Sequence, residues 1–405
     1  MLSFIVILML FFELLQVAIG NRKMLTHTPT AEEWSELYTL AQRQTLVGIA
    51  FRGVEQLLAA QRPPKALLMQ WYMATERIKS LNADLDRKAM MVANRFLEEG
   101  FPGLVLKGQG ISKLYILRDN DNENINQPFG RDKFPSASTL GVYRTSGDID
   151  IWLHGRRKDI LSYVRHHVPD CKPVYHHVDF PVVDGLDIEV HFTPSWMNSL
   201  VTNRRLQRFF RESAGFNSQT IPLFIEERAG RSEAEGVTSV ARRQSYSEIP
   251  SPSLAFNRVY ILVHIYRHLF HEGIGLRQLM DYYFVLQQGF TEEEREETMQ
   301  VLRSLKMQRF AGAVMWVLQE VYGMESRYLL TEPNEREGRF LLNEIMLAGN
   351  FGQYDERLQH ERGEGALHWG LRKIKRNFRF VRSYPSEVLW SPVFKLWHYF
   401  WRKLI

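Results

Sequence analysis

"TSGDIDIWLHG", residues 145–155, sets Asp148 and Asp150 two positions apart inside an apolar run of Ile149, Ile151, Trp152 and Leu153. The run reads as a strand at least half buried. Side chains alternate along a strand, so both acids share one face and the isoleucines take the other. An unpaired buried carboxylate costs several kcal/mol. The pair therefore calls for a counter-charge or a metal ion.

The second stretch of this kind is "VYHHVDFPVVDGLDIEVHF", residues 174–192. Asp184-Gly185 is a hairpin-turn signal between two alternating runs. In the second run Leu186, Ile188, Val190 and Phe192 face one way, and Asp187, Glu189 and His191 face the other. If this strand lies beside the first, several acids converge on one face of a sheet. Hard oxygen donors in such a cluster suit Mg2+ or Mn2+.

Around these strands the chain reads as α+β: a small mixed sheet in residues 100–225, N-terminal helices in 1–99, and a larger helical region in 254–405. "GLVLKG" (103–108) is a short buried strand, and "GISKLYIL" (110–117) a helix behind it. Residues 118–141 have loop composition, and "RKDILSYVRHHV" (157–168) is helical. Residues 226–253, rich in Gly, Ser and Arg, read as a linker. Thr30 and Glu33 form a capping box ahead of an amphipathic helix. Pro63 and Pro64 break the helical pattern before it resumes to Gly100.

The 405 residues, 45% of them hydrophobic, are enough for a sizeable core and exclude global disorder. One cysteine, Cys171, permits no internal disulfide and no thiolate cluster, and it fits a reduced, cytoplasmic setting. The net charge of +5 is concentrated at the C-terminus, where residues 371–405 hold nine Lys or Arg against the single acid Glu387. That excludes a uniformly basic nucleic-acid binder. The tail's Trp390, Trp397 and Trp401 are expected to pack on the protein's own helices, ahead of an anionic membrane or nucleic acid. The apolar N-terminus, interrupted by Glu13 and Gln16, reads as a buried helix ahead of a membrane anchor or signal peptide.

"VLKGQGISKLY" (105–115), "RTSGDIDIWL" (144–153), "HHVDF" (176–180) and "DIEVHF" (187–192), in this order, resemble an uncharacterised bacterial nucleotidyltransferase-like family. That family lies within the polymerase-beta-type nucleotidyltransferase superfamily. "HIYRHLFHEGIGLRQLMDYY" (264–283) and "YPSEVLWSPVFKLWHYFWR" (384–402) resemble the same family.

The resemblance implies that Asp148, Asp150 and Glu189 bind Mg2+ or Mn2+ and carry catalysis. It implies that Lys107, Gly108, Ser146 and Gly147 meet the nucleotide phosphates. Asp187, His191 and Arg277 would stand behind them. The implied activity is transfer of a nucleoside monophosphate from an NTP to an acceptor hydroxyl of unspecified identity. The alternative is an inactive derivative that binds a nucleotide or partner. The superfamily usually has Gly-Ser or Gly-Gly at the turn where this chain has Gly108-Gln109. An (i, i+4) ion pair between Arg277 and Asp281 competes with a phosphate role for Arg277. His264, His268 and His271 share a helical face and offer a weaker zinc reading.

Overall fold

The computed structural model describes residues 2–117, 140–181, 186–215, 223–231, 238–355, 357, 372 and 374–404. The chain starts with α1 (Leu2–Ala18), whose Leu10, Phe11, Leu14 and Leu15 are buried between α3 (Val47–Gln56) and α11 (Gln308–Tyr322). Its polar interruptions are satisfied. Glu13 accepts from the Thr26 amide at 2.9 Å and pairs with Arg22 at 3.0 Å, while Gln16 donates to the Val321 carbonyl at 3.2 Å. Among the described residues no helix is long and apolar enough to cross a membrane.

α2 (Ala31–Arg43) begins at the expected Thr30–Glu33 capping box. After Pro63 and Pro64, α4 (Lys65–Glu98) runs for 34 residues and supports the sheet. The sheet comprises β1 (Gly103–Val105), β2 (Ile149–Leu153), β3 (His177–Asp179) and β4 (Ile188–His191), in the order β1-β2-β4-β3. β1 is antiparallel to β2, β2 is parallel to β4, and β3 is antiparallel to β4. The anticipated antiparallel pairing of the two runs is therefore present; its turn at Asp184-Gly185 lies outside the described residues, as does most of the 118–141 segment.

One face of the sheet carries Ile149, Ile151 and Leu153, which lie with Val190 in the core. On the other face Trp152 stacks on Phe256 of α8 (Leu254–His271), with ring centroids 5.6 Å apart, and meets Phe210 of α7 (Leu200–Glu212). The acid-bearing face is thus roofed by helices, which is why Asp150 is only 2% exposed.

Two segments differ from the sequence reading. The expected helix at 110–117 is a single turn, α5 (Gln109–Ser112). The chain then turns inward so that Tyr115 stacks on Phe284, with centroids 4.1 Å apart. The 226–253 linker is replaced by a two-stranded antiparallel ribbon, β5 (Leu223–Arg231) with β6 (Thr238–Tyr246). The end of this segment is stitched to the sheet: the Tyr246 hydroxyl accepts from the Gly103 amide at 3.0 Å, and Pro250 O accepts from the Val105 amide at 2.8 Å. A ribbon of mixed polar residues lacks the apolar alternation by which a strand is recognised in sequence.

Between the strands, α6 (Arg157–His167) crosses over. The helical remainder continues with α9 (Leu276–Gln287), α10 (Glu292–Ser304), α12 (Glu335–Ala348) and α13 (Pro385–Leu404). Buried residues from all three parts of the chain form one continuous core. Only one face of α13 is packed, with Phe394 against Trp196 and Trp401 against Tyr175. Leu389, Val393, Leu396, Trp397 and Phe400 remain exposed.

Candidate active site

Strand register builds the site. In the parallel pair β2–β4, Asp150 is the partner of Glu189 and Trp152 that of His191. In β3–β4, His177 faces His191 and Asp179 faces Glu189. Five ionisable positions consequently meet on one sheet face: Asp150, Glu189, His177, His191 and, at its exposed edge, Asp179.

The turn after β1 brings a cation to them. Gly108 has φ +56°, a left-handed conformation open mainly to glycine. A Cβ on Gly110 would lie 2.0 Å from the Val105 carbonyl oxygen, so α5 packs against β1 only with glycine there. Lys107 is thereby aimed back over the sheet, its Nζ 2.9 Å from Asp150 Oδ2 and 3.4 Å from Asp148 Oδ2. Burial works against the ammonium, but the charges of Asp150, Asp148 and Glu189 outweigh it and raise the Lys107 pKa.

On the other side of Asp150, His191 Nε2 lies 2.8 Å from Asp150 Oδ1 and 3.2 Å from Glu189 Oε2. Burial opposes protonation of this imidazole, yet its bonds to Asp150 and Glu189 push it up to about 9. Glu189 is the converse. Burial favours its neutral form, but the bond from His191 and the neighbouring positive groups hold it at about 2. His177, with Nδ1 3.1 Å from Glu189, is lowered to about 4, chiefly by burial.

A pocket opens beside Asp148, lined by Lys107, Gly108, Gly147, Arg144, Arg277 and Phe351 among others. Arg144 is fixed by a two-bond ion pair with Asp281 of α9, Nε to Oδ1 at 2.7 Å and Nη2 to Oδ2 at 2.8 Å. The Tyr115 hydroxyl donates to the same carboxylate. Arg277 Nη1 instead donates to the Thr145 carbonyl at 2.8 Å. The anticipated Arg277–Asp281 pair is therefore replaced by Arg144–Asp281, and Arg277 lies along the pocket wall.

Of the residues singled out in the sequence, Asp148, Asp150, Glu189, His191 and Lys107 converge, and Gly108, Gly147 and Arg277 line the adjoining pocket. Ser146 does not present a free hydroxyl. It donates to Gln109 Oε1 at 2.6 Å and accepts from Arg144 Nη1 at 3.2 Å. Gln109 thus ties the turn to the approach of β2; its Nε2 donates to Asp86 of α4. Asp187 is exposed, and its charge adds to burial and the Glu189 charge in raising the Asp179 carboxyl. His264 and His268 have rings 4.4 Å apart, but none of the metal-competent clusters among the described residues includes them or His271.

Sequence reasoning missed Arg144 and Phe351. Arg144 immediately precedes the TSGDID run, but its partner Asp281 lies 137 residues away and no local pattern joins them. Phe351 has φ +51°, rare for a non-glycine residue, and lies between Gly349 and Gly352, both also at positive φ.

A family model described as "Uncharacterised nucleotidyltransferase" matches residues 30–117 and 142–323. These segments contain every candidate site residue named above except Phe351. No curated protein and no solved structure matches the chain. The matched residues cover well over half of the sequence, and the chain belongs to this uncharacterised nucleotidyltransferase family.

Proposed function

We propose that this member of the uncharacterised nucleotidyltransferase family moves a nucleoside monophosphate from an NTP to an acceptor hydroxyl, releasing pyrophosphate. Asp148, Asp150 and Glu189 would hold Mg2+ or Mn2+. The observation that carries the reading is the in-register placement of Asp150 and Glu189, beside a cation-lined pocket. Their fit to a cation is visible in Lys107, whose ammonium already lies between Asp148 and Asp150. When bound, the metal ion would neutralise phosphate charge and favour in-line displacement at the α-phosphorus.

The chain's own groups supply the rest. Arg277 and the Gly108 turn offer positive charge and backbone donors along the pocket where a triphosphate would lie. Arg144, locked to Asp281, holds that wall in place. Glu189, held at about 2, is too weak a base to take a proton efficiently at neutral pH. Its supported role is to remain anionic and orient a cation and the acceptor. Lys107 would exchange its carboxylate partners for the incoming phosphates.

One observation favours a second reading, a nucleotide-binding protein without turnover: Lys107 already satisfies the carboxylates that a metal ion would need. Incubation with each α-labelled NTP, Mg2+ or Mn2+ and pooled acceptors separates the two. Metal-dependent label transfer and pyrophosphate release, lost in Asp148→Asn, are expected. Nucleotide binding without release supports the second reading, and no nucleotide binding removes both.

A further inference from the structure

The β3–β4 register sets His177 opposite His191, and His176 directly precedes β3, so three imidazoles gather beside Glu189. His177 Nδ1 lies 2.9 Å from His176 Nε2 and 3.1 Å from Glu189 Oε2. His191 Nε2 lies 3.2 Å from the same oxygen. His176, His177 and His191 each offer a nitrogen within 4.8 Å of the others, as do Asp150, Glu189 and His191 with their donor atoms. His176 and His191 are 5% and 3% exposed, so an ion held by their Nε2 atoms would sit in a nearly dry site, while their other ring nitrogens, Nδ1, have no hydrogen-bond partner among the described residues. Hydrogen bonding alone serves this cluster poorly. A single proton on His177 Nδ1 faces both a carboxylate oxygen and a second imidazole nitrogen, and satisfies only one in good geometry.

We infer that His176, His177, His191 and Glu189 form a nitrogen-rich site for a borderline divalent transition metal of the Zn2+ class. It lies on the histidine side of Glu189 and shares that carboxylate with the oxygen seat formed with Asp148. Imidazole with one carboxylate is a ligand set for zinc-like ions, whereas Mg2+ prefers oxygen and water. Bonds of about 2.0–2.1 Å to such an ion place tetrahedral donors roughly 3.3–3.4 Å apart. The 2.9–3.2 Å separations of His176–His177, His177–Glu189 and Glu189–His191 need to open by a few tenths of an ångström, and His191, within 4.8 Å of the other two imidazoles, needs to close onto the ion. Asp179 Oδ1, 3.7 Å from His177 Nε2, stands where an outer carboxylate orients a ligating imidazole. Glu189 and Asp150 turn one oxygen toward the histidines, and Asp150 turns its other toward Lys107. The two cation sites therefore share a carboxylate wall. The inference shares Glu189 with the transfer reading but does not depend on nucleotide chemistry.

The test is titration of the full chain, freed of metal with a chelator, by Co2+ alone, reading its visible absorption, followed by Zn2+ or excess Mg2+. One equivalent of Co2+ that gives the visible band of a nitrogen-ligated ion is expected, displaced by Zn2+ and not by Mg2+. His176→Ala and His177→Ala should each weaken binding by at least the about 10–100-fold typical of losing even an outer partner. Asp148→Asn should leave it unchanged. X-ray absorption of the Zn2+-loaded wild-type chain needs no variant, and three nitrogen ligands are expected. An all-oxygen shell, no Co2+ band in the wild type, or histidine variants that fold and bind as the wild type does would each overturn the site. Failed label transfer with this spectrum intact removes only the transfer reading; the reverse outcome removes only this site.

Discussion

Asp150 and Glu189 are register partners across the parallel pair β2–β4, and His191 Nε2 reaches both carboxylates, at 2.8 Å and 3.2 Å. Lys107 holds Asp150 from the opposite side at 2.9 Å. Asp150 is thus the shared anion between two cations in a nearly dry site, whereas the Asp148 side chain is 36% exposed and touches only the edge of that network. The two acids of the GDID run are equivalent in sequence and unequal in energy.

Asp150→Asn leaves Lys107 and His191 without their common counter-charge, and breaking such a buried pair costs about 3–5 kcal/mol. Asp148→Asn breaks a partly solvated contact, worth under about 1 kcal/mol. Urea unfolding should show a large loss for the first variant and almost none for the second, with label transfer abolished in both. Equal destabilisation would contradict the asymmetry described here.

The two arginines of the pocket should separate in the same way. Arg144→Ala strands a buried Asp281, with the Tyr115 hydroxyl as its remaining hydrogen-bond donor among the described residues and the Arg277 charge nearby, and should cost about 3–5 kcal/mol of stability. Arg277→Ala loses one bond to the Thr145 carbonyl, so the folded state should change little. A lost charge-assisted phosphate contact is worth about 1.5–3 kcal/mol, so this variant should bind an NTP roughly tenfold or more weakly. Calorimetry with an NTP and the matching monophosphate checks this, with the larger loss expected for the triphosphate.

These contrasts mark where sequence stops being informative. The acid positions were legible because strand alternation has a period of two, so GDID and DIEVH each declare a face. That β2 and β4 are parallel neighbours, which brings Asp150 to Glu189, follows from tertiary packing and was only a condition in the sequence. Asp281 shows the limit from the other side. Its (i, i+4) spacing to Arg277 offers a pair worth tenths of a kcal/mol, and the buried two-bond grip of Arg144 outcompetes it. The 223–246 ribbon was hidden because its residues declare no buried face. The Thr30–Glu33 box and the Pro63-Pro64 break were readable because caps and prolines act locally.

Phe351 carries backbone strain at the pocket wall, with φ +51° and ψ +26°. Its ring stands 5.4 Å from that of His268, and the Arg277 guanidinium lies 5.8 Å from its centre. A non-glycine residue in this conformation costs about 1 kcal/mol or more. Phe351→Gly should relieve that strain while removing an apolar wall. The expected result is a melting temperature little changed or raised, together with weaker nucleotide binding. A variant that melts much lower yet binds nucleotide normally would show that the ring serves packing alone.

Glu387 of α13 caps α7 from a distance. Its carboxylate accepts from the Asn198 amide at 2.8 Å and the Ser199 amide at 3.4 Å, where Ser199 gives no side-chain cap of its own. Burial pushes this carboxyl up to about 7, outweighing the amide bonds that favour the anion. A folded pKa above the unfolded value means the native state holds the proton more tightly. The stabilisation is full below about pH 4.5 and is lost as pH rises through about 7. The shift corresponds to at most about 3–4 kcal/mol. Glu387→Gln keeps one oxygen for the Asn198 amide, gives up the longer Ser199 contact, and cannot ionise. It should flatten the fall in stability between about pH 5 and 8, and at pH 8 it should melt above the wild type. Chemical unfolding of both proteins across that range is the measurement. A wild-type slope that persists in the glutamine variant would assign it to another group.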